Sequence, residues 1–147
     1  MSAVENFLTD LEEDQVIEAI RKAEKNTSGE IRIHLENSCN SQHIESRTKE
    51  VFHYLKMDNT KLQNGVLIYV AVNNKQFCIY GDDGINSMVS EDFWNSTRDI
   101  IQNQFALENF KQGLIDGVLK AGQELEKHFP WQHFDTDELP NEISKSK

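Results

Sequence analysis

Asn64-Gly65-Val66-Leu67-Ile68-Tyr69-Val70-Ala71-Val72 is the stretch on which the fold turns. An uninterrupted apolar run of strand length is buried on both faces, and such strands sit in the middle of a sheet covered by helices on both sides. Asn73-Asn74-Lys75 then makes a tight turn into a second strand over 76–80, so the pair predicts an antiparallel hairpin. Gly81-Asp82-Asp83-Gly84 ends it.

Upstream, Glu-Ile-Arg-Ile-His-Leu-Glu over 30–36 alternates: Ile31, Ile33 and Leu35 face one way, and Glu30, Arg32, His34 and Glu36 the other. The pattern predicts a half-buried strand near a sheet edge. A helix over 43–56, carrying Ile44, Val51, Phe52 and Leu55, joins it to the apolar strand, so the two are parallel with a right-handed crossover. A short helix over 3–9 and a firmer one over 11–25 come first, the latter with Val16, Ile17, Ile20 and Ala23 on one stripe. After the hairpin, 85–89 forms one helical turn. Ser90 caps a helix reaching residue 107, with Trp94, Ile101 and Phe105 buried. A last helix spans 108–128, with Phe110, Leu114, Val118, Ala121 and Leu125 on its apolar face. The expected organisation is an α/β domain over 1–130 and a polar tail over 131–147 with a loose end.

The 147 residues suit one domain, and 37 % hydrophobic against 27 % charged residues places the chain with globular proteins. Fifteen Lys and Arg against 25 Asp and Glu give a charge of −10. That balance argues against nucleic acid and against an anionic membrane surface as partners; it suits a cation or a basic protein. The acidic N-terminus has no signal-peptide pattern and no apolar run approaches a membrane span. Cys39 and Cys78 are expected as free thiols, which together with the missing leader points to the cytoplasm.

Topology alone places a candidate site. The start of the first strand (Thr27, Ser28, Gly29, Glu30), the start of the second (Asn64, Gly65) and the end of the third (Gly81, Asp82, Asp83, Gly84) meet at one edge of the sheet. Asp82, Asp83, Glu30 and Asn64 bring hard oxygen donors there, of the kind that suit Ca²⁺ or Mg²⁺. The same residues also read as ordinary structure. Gly-Asp-Asp-Gly is a common turn, Asp83 could cap the helical turn after it, Glu30 could solvate a strand face, and Asn64-Gly65 is a frequent turn pair. His34, His43, His53, His128 and His133 show no metal-ligand spacing. Arg47 falls at the opposite end of the sheet, where it could form a salt bridge or meet a phosphate. Gly113 and Gly117 read as close helix packing.

Several stretches together resemble the TPM domain family. They are Ala23-Glu24 with Thr27-Ser28-Gly29-Glu30-Ile31-Arg32, then Arg47, Val51-Phe52, and Met57 with Thr60. Asn64 to Ile68 and Ile79-Tyr80-Gly81-Asp82-Asp83-Gly84-Ile85 carry most weight; Phe93-Trp94, Phe105 with Phe110, Gly113-Leu114 and His128-Phe129-Pro130 complete the set. The family includes a thylakoid-lumen acid phosphatase, a photosystem II repair factor and an animal receptor modulator, mostly secreted or membrane-tethered. The chain is similar to a soluble bacterial member without the strand that many members carry before the first helix. The resemblance implies a three-layer α/β/α sandwich of Rossmann-like topology around a small mixed sheet, with the acidic turn as its functional position.

Two functional readings follow. One is a binding or regulatory module whose acidic turn holds a divalent cation and whose surface meets a protein partner. The other is a metal-assisted phosphatase acting on phosphomonoesters, with Asp82 or Asp83 as catalytic residues. The sequence has no Cys-x5-Arg loop, no Asp-x-Asp nucleophile pair of the haloacid dehalogenase kind and no Gly-x4-Gly-Lys loop, so a hydrolase would need an aspartate nucleophile or a metal-bound water.

Overall fold

A computed structural model of the chain describes residues 3–40, 43–131 and 143–146. Its sheet has four strands in the order β3-β2-β1-β4, where β1 is Glu30–Glu36, β2 Gly65–Ala71, β3 Gln76–Gly81 and β4 Ile143–Ser146. β1 and β2 are parallel and β2 and β3 antiparallel, as the connections require. The register aligns Glu30 with Gly65 and Val66 with Gly81, which brings the starts of β1 and β2 and the end of β3 to one edge.

Among the described residues the α-helices are α1 (Ala3–Asn6), α2 (Asp10–Glu24), α3 (Ile44–Tyr54), α4 (Asp83–Asn86), α5 (Asn95–Ala106) and α6 (Phe110–His128). The stripes of α2, α5 and α6 cover one face of the sheet in a core with Ile31, Ile33, Leu35, Val66, Ile68 and Val70. α3 covers the other face, where Val51 and Phe52 meet Leu67, Tyr69 and Ala71. This is the expected α/β/α layering. Thr9 opens α2 with a capping box: its hydroxyl accepts from the Glu12 N–H at 3.1 Å, and the Glu12 carboxylate accepts from the Thr9 N–H at 2.9 Å. Gly117 of α6 lies directly against Ile101 of α5, which confirms the packing role expected of it.

The structure corrects three local expectations. β1 is not an edge strand with a solvated face; all seven of its residues are buried. Its polar row lies under α3 and beside β4, between two paired neighbours. The C-terminal end is not loose where it is described. Ile143–Ser146 pairs in parallel with Ile33 to Glu36, Ile143 packs against the core, and Lys145 forms a salt bridge with Glu13. Four residues are too few to show a period, so sequence gave this strand no signal. Phe134 and His133 lie outside the described residues. Lastly, Ser90 makes no side-chain cap; it precedes a 3₁₀ turn, Glu91–Trp94, that leads into α5.

Ending the chain before Ile143 should therefore lower stability by about 2–3 kcal/mol, from lost ladder and side-chain hydrogen bonds and exposed apolar surface, or roughly 5–10 °C in thermal midpoint. Calorimetry of the truncated chain checks this; an unchanged midpoint would show that β4 contributes nothing.

Candidate functional site

At the site edge the backbone brings three chain segments together. The Glu30 N–H donates to the Asn64 carbonyl at 3.2 Å, and the Asp82 N–H to the Gly65 carbonyl at 3.0 Å. Glu30, Gly65 and Asp82 thus form one row across β1, β2 and the end of β3, all on the α3 face of the pleat. Asn64 holds the row to the preceding loop: its amide nitrogen donates to the Ser28 carbonyl at 3.2 Å, and its backbone N–H donates to the Thr60 hydroxyl at 3.3 Å. Thr27 is fully committed to structure. Its hydroxyl donates to the Phe129 carbonyl and accepts from the Gly29 N–H, tying this corner to the end of α6.

Asp82 is the N-cap of α4. Its Oδ1 accepts from the Asp83 N–H at 2.8 Å, so Asp82, rather than Asp83, takes the capping role. Gly84 follows because the loop leaves no room for a side chain: a β-carbon there would collide with the carbonyl oxygens of Leu62 and Gln63. Asp83 is exposed in the first turn of α4.

The edge is not electrostatically settled. Asp82 is only 6 % exposed, and its Oδ2 has no hydrogen-bond partner among the described residues. Asn64 is 1 % exposed, and its Oδ1 likewise lacks a partner. Burial pushes the Asp82 carboxyl above the ordinary aspartate range; the cap hydrogen bond from Asp83 opposes this, while the charges of Asp83 and Asp58 add to it. Asp58 is a site-side group the sequence reading did not select. It lies in the loop after α3, bonded to His53 at 3.2 Å, and only the fold brings its charge toward Asp82.

The structure thus gathers Glu30, Asn64, Asp82 and Asp83 at one sheet edge, but not as a tight cluster. Glu30 and Asp82 are separated by the width of β2, about 10 Å between Cα atoms at two strand spacings. The Met57 carbonyl and the Phe52 ring fill the space above Gly65 between them. Among the described residues no three His, Cys, Asp or Glu side chains form a group that could hold a metal ion.

A second polar constellation occupies the opposite end of β1. Arg47 grips Glu36 through two nitrogens, at 2.6 and 3.0 Å, and the Tyr69 hydroxyl donates to the same carboxylate. Burial alone would raise the Glu36 carboxyl, but these hydrogen bonds bring it below the ordinary range. Arg47 therefore forms the salt bridge that its position allowed. His34, 1 % exposed, has Nδ1 2.7 Å from the Ser144 hydroxyl and Nε2 2.8 Å from the Ser146 hydroxyl. The Ser144 hydroxyl donates to the Ile33 carbonyl, so Nδ1 carries the imidazole proton and Nε2 accepts from Ser146. Burial pushes His34 down to about 4, against the pull of the Glu36 charge. These contacts pair the Glu36 carboxylate and both nitrogens of His34. Cys39 and Cys78 form no disulfide, as expected.

A family model for the TPM domain matches residues 2–124, and the chain belongs to that family. The solved NMR structure of BA42 protein from the psychrophilic bacterium Bizionia argentinensis is 63 % identical over 95 % of this chain and 96 % of that one, with a TM-score of 0.90. The N-terminal domain of a protein from P. gingivalis shares the fold at 19 % identity, covering 86 % of this chain and 83 % of that one, with a TM-score of 0.69. The N-terminal domain of cg2496 from Corynebacterium glutamicum does so at 10 % identity, over 95 % and 80 %, with a TM-score of 0.64. No curated protein matches the chain.

Two predictions separate the ends of the sheet. Asp82→Asn keeps an acceptor for the cap and removes a buried charge whose pKa is raised by folding. In cation-free buffer at neutral pH it should unfold at a higher temperature than the parent. The gap should close as pH falls and the parent Asp82 takes up its proton. An equal or lower midpoint at neutral pH would mean that the charge is already compensated. His34 behaves oppositely. Its pKa falls from 6.5 to about 4 on folding. Stability should therefore drop as pH falls through that window, by at most about 1.4 kcal/mol per pH unit for one proton. His34→Gln should lack that part of the slope; denaturant titrations at several pH values read it directly.

Proposed function

We propose that this TPM domain is a binding or regulatory module whose acidic turn holds a divalent cation, Ca²⁺ or Mg²⁺, and that a protein is its partner. The observation that carries the reading is the pair of buried, unpartnered oxygens, Asp82 Oδ2 and Asn64 Oδ1, at one sheet edge. A buried acceptor without a donor costs stability, on the order of 1–3 kcal/mol, and a protein retains one where something else satisfies it. A carboxylate and an amide oxygen are ligands for a hard cation, and the exposed Asp83 gives it a route from solvent. In this reading Asp82, Asp83 and Asn64 are the ligands, with backbone carbonyls and water. Glu30, two strands away, contributes charge rather than a bond.

Metal-assisted hydrolysis of phosphomonoesters is the second reading. In its favour, the neighbouring carboxylates Asp82 and Asp83 sit in contrasting surroundings, one buried with a raised pKa and one exposed. Such asymmetry is how paired carboxylates divide acid and base roles.

Titration with Ca²⁺ or Mg²⁺, followed by amide NMR, tests both. The amides of Gly29, Gly65, Gly81 and Gly84 should shift together with a Kd of roughly 10⁻⁵–10⁻³ M. Those of Asn73 and Asn74, at the other end of the hairpin, should not. Asp82→Asn should weaken binding more than Glu30→Gln. Shifts spread evenly over the acidic surface would mean screening only. Steady release of phosphate from p-nitrophenyl phosphate that disappears in Asp82→Asn would favour the hydrolase.

A further inference from the structure

β3 is the outermost strand of the sheet, with no described strand on its far side. Its hydrogen-bonding directions follow from alternation. The Asp82 N–H points inward to Gly65, so Tyr80, Cys78 and Gln76 also face β2, and the backbone groups of Phe77, Ile79 and Gly81 point outward. Two of these already have partners: the Gly81 carbonyl accepts from the Asn86 amide at 2.9 Å, and the Ile79 carbonyl takes a long, weak contact from the Cys78 thiol at 3.9 Å.

That edge lies in a groove of about 850 Å³. One wall is α3, presenting Glu45 and Lys49; the other is the 3₁₀ turn and α5, presenting Glu91, Trp94 and Arg98. Trp94 is 6 % exposed, and its indole N–H is a buried donor with no partner. The nitrogen stands 3.4 Å from where a β-carbon of Gly81 would be, so the missing side chain lets the donor reach the strand end.

We propose that this groove receives an extended segment of a partner protein, which adds to β3 as a fifth strand. A strand is the occupant that the backbone selects, because only another extended chain pairs with alternate N–H and C=O groups. With walls of α3 on one side and of the 3₁₀ turn and α5 on the other, the groove favours a single extended strand over a second copy of the whole sheet. Each wall carries one acid and one base, so on a chain of charge −10 the groove complements a segment with charges of both signs rather than a basic one. The Trp94 indole donates to a carbonyl of the segment beside Gly81. The proposal takes up the binding-module reading, on which it rests for the existence of a protein partner, but it needs no cation at the acidic turn.

The test uses the full chain in cation-free buffer, so that it fails or succeeds separately from the metal titration. Random linear octapeptides are displayed and selected on the protein, and a selected peptide is added to the labelled chain. The amides of Phe77, Ile79 and Gly81 should gain protection from exchange, and the Trp94 indole signal should shift. N-methylation of the peptide at alternate residues should abolish binding, and at the intervening residues should not. Trp94→Phe should weaken it about three- to tenfold, the worth of one neutral hydrogen bond. The proposal is overturned if the library enriches nothing or if the shifts fall elsewhere. Phe77 and Ile79 amides already protected in the free protein, or shifts that depend on protein concentration alone, would overturn it too, the last pointing to a second copy.

Discussion

The parallel pairing of β1 with β2, which sets Glu30 opposite Gly65, is the constraint on which the rest depends. With β2 continuous and apolar, the sheet must be covered on both faces, and α3 as the crossover supplies one cover. The same register fixes what meets at each end. One end gathers the starts of two strands and the end of a third; the other brings Glu36 within reach of Arg47 at the beginning of α3. Shifting β1 by one residue would turn its isoleucines toward α3 and its charged row into the larger core.

Burying β1 on both sides has a consequence for its polar residues. A carboxylate and an imidazole inside a protein are tolerated only when hydrogen-bonded. Glu36 receives three donors, from Arg47 and Tyr69, and His34 is held between two serines of β4. The four-residue β4 is thus more than an added edge, since it supplies the hydroxyls that let a histidine remain neutral in the sheet. Replacing such a network with apolar residues need not destabilise a protein, but removing one partner does.

Much of this was legible in the sequence, and the failures have a common cause. The continuous run at 66–72 identified a central strand, and chain connectivity alone placed Glu30, Asn64 and Asp82 at one edge. The alternation of β1 holds in the structure, yet its polar face is covered rather than solvated. Alternation records which residues share a face; it does not say what covers that face. Glu36 meets Tyr69 from 33 residues away, and His34 meets Ser146 from 112. Asp58 was missed for the same reason, because nothing in Met57-Asp58-Asn59-Thr60 shows that the loop returns toward Asp82. Asp82 and Asp83 could not be told apart as caps until the end of β3 was known to extend to Gly81.

The two ends of the sheet therefore carry polar burial of different kinds. At the Glu36 end every charged or donor group named there has a partner, and the carboxyl is held below its usual range. At the Asp82 end the carboxyl is held above it, and two buried oxygens have no donor. Both ends are made from the same strands, and the pairing does not by itself require the second arrangement: a donor near Asp82 in place of Asp58 would have settled it. A fold that completes one polar network and leaves the other short of donors among the described residues has its unmet bonding capacity at the acidic turn.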